Sequence, residues 1–409
     1  EYNCEKYDVD LMDRLIESYK QIILQLDKNT LEEIEVMTEE ERRKVLEKFN
    51  DTYVEYPKEK CVHELFTEQA KRTPDRIALV FEDREFSYKE LDEMSNSLAH
   101  FLRKKGVKPN DIVPIIAKRS WHVIVAMLGI LKAGGAYMLV DYHYPAQRID
   151  YLISECKSEC IICCGCDYKN SILLENFDYR SNTVTILNCN KSQDIFCVIH
   201  TSGTTGVPKV TSLSHENVSH YIAFSKKLFQ GTEQAISTTI VTFDAFIQET
   251  IVALCNGIPV ILLNEDEMSK QNKFEAVLAR YKESFMFQTP TKLLNYIRNS
   301  KTKKFLENIK SFVLGGEVFP KELYEWINIS NPLSRIYNIY GPTETTICSN
   351  TKQLENSCDI TIGKPIANTQ IYILDKNNNP VPIGVAGELC IAGAGVGKGY
   401  LNRPDLTAE

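Results

Sequence analysis

The stretch HTSGTTGVPK, residues 200–209, places four hydroxyl side chains, two glycines and one lysine within ten positions. Glycines that let the backbone come close, hydroxyl and N–H donors, and one ammonium are the groups that hold phosphate oxygens. The apolar run DIFCVI before it predicts a strand whose end carries the loop to a sheet edge, where ligands collect in α/β folds. The loop is not of the Walker A type, because Gly203 and Gly206 stand at the wrong distances from Lys209 for GxxxxGK[ST]. The same residue types also make plain surface turns, so this stretch alone leaves a flexible connecting loop open as the other reading. A second chemically suggestive run is CKSECIICCGC, with Cys156, Cys160, Cys163, Cys164 and Cys166 offering a CxxC and a CxC. Structural zinc sites draw paired ligands from two separated segments. Here all five thiols sit in one segment that reads as a strand, CIICC, so a buried strand of small apolar cysteines is expected in place of a metal site.

The elements around these stretches must position them. At 409 residues, and at roughly 150 residues per domain, the chain has length for two or three packing units with a sizeable core. Its hydrophobic content of 43% and charged content of 25% are those of a globular chain. No apolar run approaches the ~20 residues of a membrane span, and EYNCEKYDVD does not resemble a signal peptide. A net charge of -8 argues against nucleic acid as a partner, and neither nucleic acid nor membrane is expected. Thirteen cysteines, an odd number, suggest reduced thiols and a cytoplasmic protein. Residues 8–50 read as charged helices, with a capping box expected at Thr38 and Glu41. FSYKELDEMSNSLAHFLRKKG predicts a helix capped by Ser87 and Glu90, striped by Leu91, Met94, Leu98, Phe101 and Leu102, and ended by Gly106. From Ile77 onward, apolar runs alternate with helical patterns, which implies sheets covered by helices. From about Asp359, short runs separated by Gly, Pro and Asn predict a small β-rich end.

Six stretches in order, FSYKEL, LKAGGAYMLVD, HTSGTTGVPK, FDAFIQE, NIYGPTE and GELCIAGAGVGKGYL, resemble the core motifs of the amino-acid-activating adenylation domains of nonribosomal peptide synthetases. They span Phe86 to Leu401. The resemblance implies an α/β adenylate-forming enzyme fold: two helix-covered sheet subdomains and a small distorted β-barrel-like unit, with no counterpart here of that family's C-terminal lobe. It implies an adenylation core at residues 61–409, with a β-rich end at 359–409. Residues 1–60 resemble the helical segment that connects a preceding condensation domain. It also implies ATP and Mg²⁺ as cofactors. A carboxylate attacks the α-phosphorus of ATP, giving an acyl adenylate and pyrophosphate, and the acyl group passes to the phosphopantetheine thiol of a peptidyl carrier protein.

Residue by residue, the resemblance assigns Thr201, Ser202, Gly203, Thr204, Thr205 and Gly206 to the phosphates, with Lys209 supplying charge. Thr343 is a further phosphate donor and Glu344 the metal ligand, an oxygen donor of the kind that magnesium takes. Thr201, Ser202, Lys209 and Glu344 form the implied catalytic set. Tyr340 is the adenine platform, Asn338 pairs with the exocyclic amine, and Gly315 and Gly316 give the base close access. Asp244 is implied to pair with the substrate's α-ammonium group, although FDAFIQE by itself also reads as a helix start with Asp as N-cap. The implied lining is Asp244, Ala245, Gln248, Phe287, Val313, Gly315, Ile339, Ile347 and Cys348. With no basic residue and no carboxylate beyond Asp244 in it, a neutral aliphatic amino acid such as valine, leucine or isoleucine is expected. An aromatic amino acid is the competing substrate class, and an acyl-CoA ligase or a non-catalytic binding module the competing functions.

Three departures stand out. Val210 follows Lys209 where the family has glycine, the second motif ends LVDY, and His200 replaces an aromatic residue, where its ring is expected to pack as filler. The family's ribose-binding aspartate and its catalytic lysine lie beyond the last motif matched, and the lobe that carries them is an implied partner.

Overall fold

A computed structural model describes residues 6, 8–27, 30, 33–201, 209–356 and 359–408. The chain divides into two compact units, residues 1–54 with 367–393, and residues 55–366 with 394–409. This differs from a boundary at residue 60 and a β-rich end beginning at 359. The physical reason is hydrogen bonding within the first unit. Asn50 Nδ2 donates to the Ile371 carbonyl at 3.1 Å while Ile371 N–H donates to Asn50 Oδ1 at 2.8 Å, and Thr52 Oγ1 donates to the Thr369 carbonyl at 2.8 Å. These bonds tie the N-terminal segment to the antiparallel hairpin of Thr369–Leu374 and Glu388–Gly393.

The helices Val9–Gln25 and Glu39–Leu46 complete the first unit. Thr38 caps the second, accepting from Glu41 N–H at 3.1 Å, but only half of the expected box forms. The Glu41 carboxylate instead accepts from Ile383 N–H at 3.1 Å, a long-range bond that local sequence spacing cannot anticipate.

In the second unit, nine strands among the described residues form a mixed sheet. Its order is Lys364–Pro365, Asn350–Gln353, Arg335–Tyr340, Ile309–Gly315, Ser284–Gln288, Gln234–Ser237, Val260–Leu262, Ile77–Phe81, Arg84–Ser87. Six more form a second sheet in the order Ile172–Leu173, Ile162–Cys164, Ile112–Ala117, Ala136–Asp141, Ile195–Thr201, Lys209–Ser214. Strand alternation sorts side chains between cores. From Ile112–Ala117, Val113, Ile115 and Ala117 enter a large shared core, while Ile112 and Ile116 join the cluster on the other face. The same alternation sends Phe285, Phe287, Val313, Tyr337 and Ile339 into the shared core, and Met286, Phe312, Leu314 and Ile336 to the opposite face.

The helix Trp121–Ala133 is buried all round within that core. Beside it, the helix Tyr88–Lys104 is capped as expected, with Ser87 N–H to Glu90 Oε2 at 2.7 Å and Glu90 N–H to Ser87 Oγ at 3.2 Å. Leu91, Leu98 and Leu102 are fully buried, Met94 and Phe101 partly so, and Gly106 leaves the helix at φ +97°. Both sheets are mixed and helix-covered, as an α/β chain requires.

Candidate active site

The hydroxyl-rich loop connects two antiparallel strands, Ile195–Thr201 and Lys209–Ser214, with Thr201 opposite Lys209. Ser202, Gly203, Thr204, Thr205 and Gly206 lie outside the described residues. At the loop's base, Lys209 Nζ sits 5.0 Å from the Tyr400 ring centroid, and Tyr400 Oη donates to Glu344 Oε1 at 2.8 Å. Burial first, and then Glu344, push the Tyr400 phenol up to about 12, so it stays a donor. In the sequence Tyr400 stands inside the motif GELCIAGAGVGKGYL with no role implied for it. Main-chain pairing puts it beside Glu344, with Ser212 N–H to the Gly399 carbonyl at 3.0 Å and Leu401 N–H to the Val210 carbonyl at 2.7 Å. Gly397 permits this approach, since a Cβ there would lie 2.8 Å from the Ser212 carbonyl oxygen.

Glu344 and Thr343 stand on the turn Thr343–Thr345, just past the strand Arg335–Tyr340. Two β-branched residues, Thr346 and Ile347, follow at φ +63° and +68°. Each costs about 1–3 kcal/mol in that region and is held only by its surroundings. The holding bonds are Thr346 Oγ1 to the Gly395 carbonyl at 2.7 Å, Cys348 N–H to the Thr346 carbonyl at 2.7 Å, and Ser349 N–H to the Tyr340 carbonyl at 2.8 Å. This turn brings Thr343 and Glu344 close enough to Asp244 to act on its carboxyl. Burial is the main cause that raises the Asp244 carboxyl above its usual range, with the Glu344 charge adding to it and the Thr343 bond opposing. Asp244 is thus the first residue of the helix Asp244–Ile247 and not its N-cap, which is Phe243.

Tyr340 ends its strand with its ring partly exposed, available to a flat base. Asn338 is buried, its Nδ2 donating to the Thr361 carbonyl at 2.8 Å, which fixes the amide and leaves Oδ1 as the acceptor an exocyclic amine needs. Gly316 has φ +80°. Gly315 lacks a side chain for a different reason from closeness to a base: its Cβ would stand 2.5 Å from Ile339 Cγ1 and 2.7 Å from the Ile339 carbonyl oxygen.

The helix that begins at Asp244 continues through a π-helical turn, Gln248–Val252, into Ala253–Cys255. Such turns accompany functional sites. Ala245, Phe287, Val313, Ile339, Ile347 and Cys348, six of the nine positions that the resemblance assigns to the lining, are buried in the large shared core. Gln248 lies one turn beyond Asp244 and is fully buried, and neither its Oε1 nor its Nε2 has a hydrogen-bond partner among the described residues. Tyr221, which no motif flagged, comes from the helix His215–Ser225. Its buried hydroxyl is also unpaired, and its phenol is pushed well up by burial, then by nearby Cys348 and Asp244. Glu249 is anchored at the end of the strand Gln234–Ser237. Its Oε2 accepts from Ser237 Oγ at 3.0 Å and from Thr238 and Thr239 N–H, each at 2.9 Å. Arg119 offsets its charge and donates to the carbonyls of Thr239 and Leu263.

The departures find ordinary places. Val210 is buried in its strand with no positive φ, opposite His200. His200 packs edge-on to Tyr144 at 5.6 Å, and burial, then Arg148, bring its imidazole down to about 4. Cys163 and Cys164 are buried in the strand Ile162–Cys164, and Cys156 is buried at the end of the helix Ala146–Cys156. A different group, Cys61, His63 and His215, brings three ligand-type atoms within 4.8 Å of one another. Its protons argue against a metal. His215 Nδ1 accepts from Val62 N–H at 3.2 Å, so in the neutral ring Nε2 carries the hydrogen and has no lone pair to give.

A model of the family described as AMP-binding enzyme matches residues 66–401. Bacitracin synthase 2 of Bacillus licheniformis is 39% identical over 92% of this chain and 15% of its own length. Bacitracin synthase 3 of the same organism is 35% identical over 100% of this chain and 7% of its own length. Gramicidin S synthase 2 of Brevibacillus brevis is 32% identical over 100% of this chain and 10% of its own. The chain thus spans a small part of these curated relatives. Among solved structures, the nonribosomal peptide synthetase FmoA3 superposes with a TM-score of 0.88 at 24% identity, covering 98% of this chain and 45% of that one. At that identity the likeness concerns the fold.

Proposed function

We propose that this chain, which belongs to the AMP-binding enzyme family, is the amino-acid-selecting adenylation core of a peptide synthetase. In this reading the amino acid's carboxylate attacks the α-phosphorus of ATP, a P–O bond breaks to release pyrophosphate, and the aminoacyl group then goes to a carrier-protein thiol. The observation that carries it is the buried Asp244 carboxyl, raised above its usual range by burial and further by the charge of Glu344, which comes from a distant segment. A carboxylate held at a raised pKa beside a second carboxylate is stabilised by an incoming cation, which an amino acid's ammonium group supplies and a plain acyl acid does not. This favours amino-acid activation over an acyl-CoA ligase.

Tyr340 and Asn338 suit adenine, Thr201 and Lys209 the phosphates, and Glu344 a magnesium ion. Bound there, the metal neutralises phosphate charge and polarises phosphate oxygens. The Glu344 carboxylate fits, with Oε1 oriented by Tyr400 and Oε2 without a hydrogen bond among the described residues. A peptidyl carrier protein, a condensation domain and a C-terminal lobe would be the neighbours. Phe287, Val313, Ile339 and Ile347 support the expected aliphatic substrate, whereas the unpaired Gln248 amide speaks against a wholly apolar side chain.

The test is amino-acid-dependent exchange of labelled pyrophosphate into ATP, with this chain alone and fused to the segment that follows the matched region in bacitracin synthase 2. Exchange with a single amino acid, lost in Asp244→Asn, is the expected result. Binding of an aminoacyl-adenylate mimic without exchange in either form would favour a non-catalytic module.

A further inference from the structure

Two buried side chains, Gln248 at a position the resemblance assigns to the amino acid and Tyr221 outside that set, carry polar atoms without a hydrogen-bond partner among the described residues. Gln248 is the one side-chain amide among the described residues with both of its polar atoms buried and unpaired. It is fully buried, and the helix that carries it packs on the strand of Phe287 and on the helix of Tyr221. Tyr221 is likewise fully buried with an unpaired hydroxyl. Buried polar groups are normally satisfied, and an amide deprived of both its donor and acceptor contacts is an exception that calls for a partner. An aliphatic substrate side chain would leave all three atoms unpaired. A carboxamide offers one carbonyl oxygen and one NH₂, which matches the Nε2 and Oε1 of Gln248 reciprocally, with the Tyr221 hydroxyl free to donate or accept.

We infer that the substrate's side chain carries a neutral carboxamide, as in glutamine or asparagine, recognised by Gln248 and Tyr221 at the base of the pocket. The inference rests on the adenylation reading and deepens it. The apolar walls around Phe287, Val313 and Ile347 then contact the methylene groups, and the amide is the point of selection.

The test measures, by calorimetry, binding of aminoacyl-sulfamoyl adenosines made from glutamine, norleucine and glutamate. Norleucine has an unbranched side chain of similar reach without hydrogen-bonding atoms, and glutamate reports whether charge is what is read. The glutaminyl compound should bind at least ~10-fold tighter than the norleucyl one, because a site built to hydrogen-bond rejects a ligand that cannot. Gln248→Leu should reverse that order, and Tyr221→Phe should reduce the glutaminyl advantage by about 5-fold. Equal or tighter binding of norleucyl, tightest binding of glutamyl, or an order unchanged in Gln248→Leu would each overturn the inference and leave the adenylation reading standing. Should Gln248→Leu fail to fold, the parent's ranking and Tyr221→Phe decide. Failure of all three compounds to bind overturns the adenylation reading and the inference with it.

Discussion

Asp244→Asn tests the site at its centre, because it removes a charge while keeping the shape. In the free protein the Asp244 carboxyl already sits above its usual range through burial and the Glu344 charge, so neutralising it relieves a cost. Asparagine keeps the side chain's shape and an accepting oxygen, so stability should stay within about 1 kcal/mol of the parent. Binding should behave oppositely. Truncating one member of a buried ion pair costs about 3–5 kcal/mol. Asp244 is only partly shielded from solvent, so the lower end applies, about 3 kcal/mol or ~10²-fold in affinity. Calorimetry with an aminoacyl-sulfamoyl adenosine and with its counterpart lacking the α-amino group closes a double cycle. The parent should prefer the amino form by ~10²-fold and the variant should show almost no preference. If the two proteins discriminate the ligands equally, Asp244 does not meet the ammonium and the pocket has been placed wrongly.

Other consequences follow from single contacts. Phe287→Ala vacates ring volume in the pocket cluster and should widen acceptance toward bulkier side chains, read as relative binding of bulky and small aminoacyl-sulfamoyl adenosines, at a stability cost of about 3–5 kcal/mol measured in urea. Gly315→Ala pushes a methyl group onto the Ile339 carbonyl oxygen at 2.7 Å and should destabilise by about 1–3 kcal/mol, seen as a lowered Tm; an unchanged Tm would show that the two strands can part without cost. For His200, the folded imidazole near 4 lies below an unfolded value of about 6.5, so between these pH values the unfolded chain binds the extra proton. Stability is therefore lost as pH falls from about 6.5 toward 4, by up to about 1.4 kcal/mol per pH unit for this group. His200→Phe, which keeps a ring against Tyr144, should flatten the Tm profile over that window and leave it unchanged at pH 8.

The sequence determined the parts whose causes are local or carried by ordered motifs. The Ser87 and Glu90 cap with its leucine stripe, the alternation of strands and helices, and the strand before HTSGTTGVPK follow from neighbours a few residues apart. The six motifs proposed a set of site residues, and the structure buries Ala245, Phe287, Val313, Ile339, Ile347 and Cys348 of that set in the large shared core. Only the tertiary structure decided where long-range partners compete with local ones. Glu41 leaves its expected cap for Ile383, and residues 367–393 join residues 1–54 because Asn50 and Thr52 bond to that hairpin. Tyr400 reaches Glu344 through main-chain pairing distant in sequence, and Tyr221 is buried with its hydroxyl unpaired on a helix with no motif of its own. The unpaired amide of Gln248 was invisible for the same reason. A residue's type is written in the chain, but whether its polar atoms find partners depends on every element that folds around it.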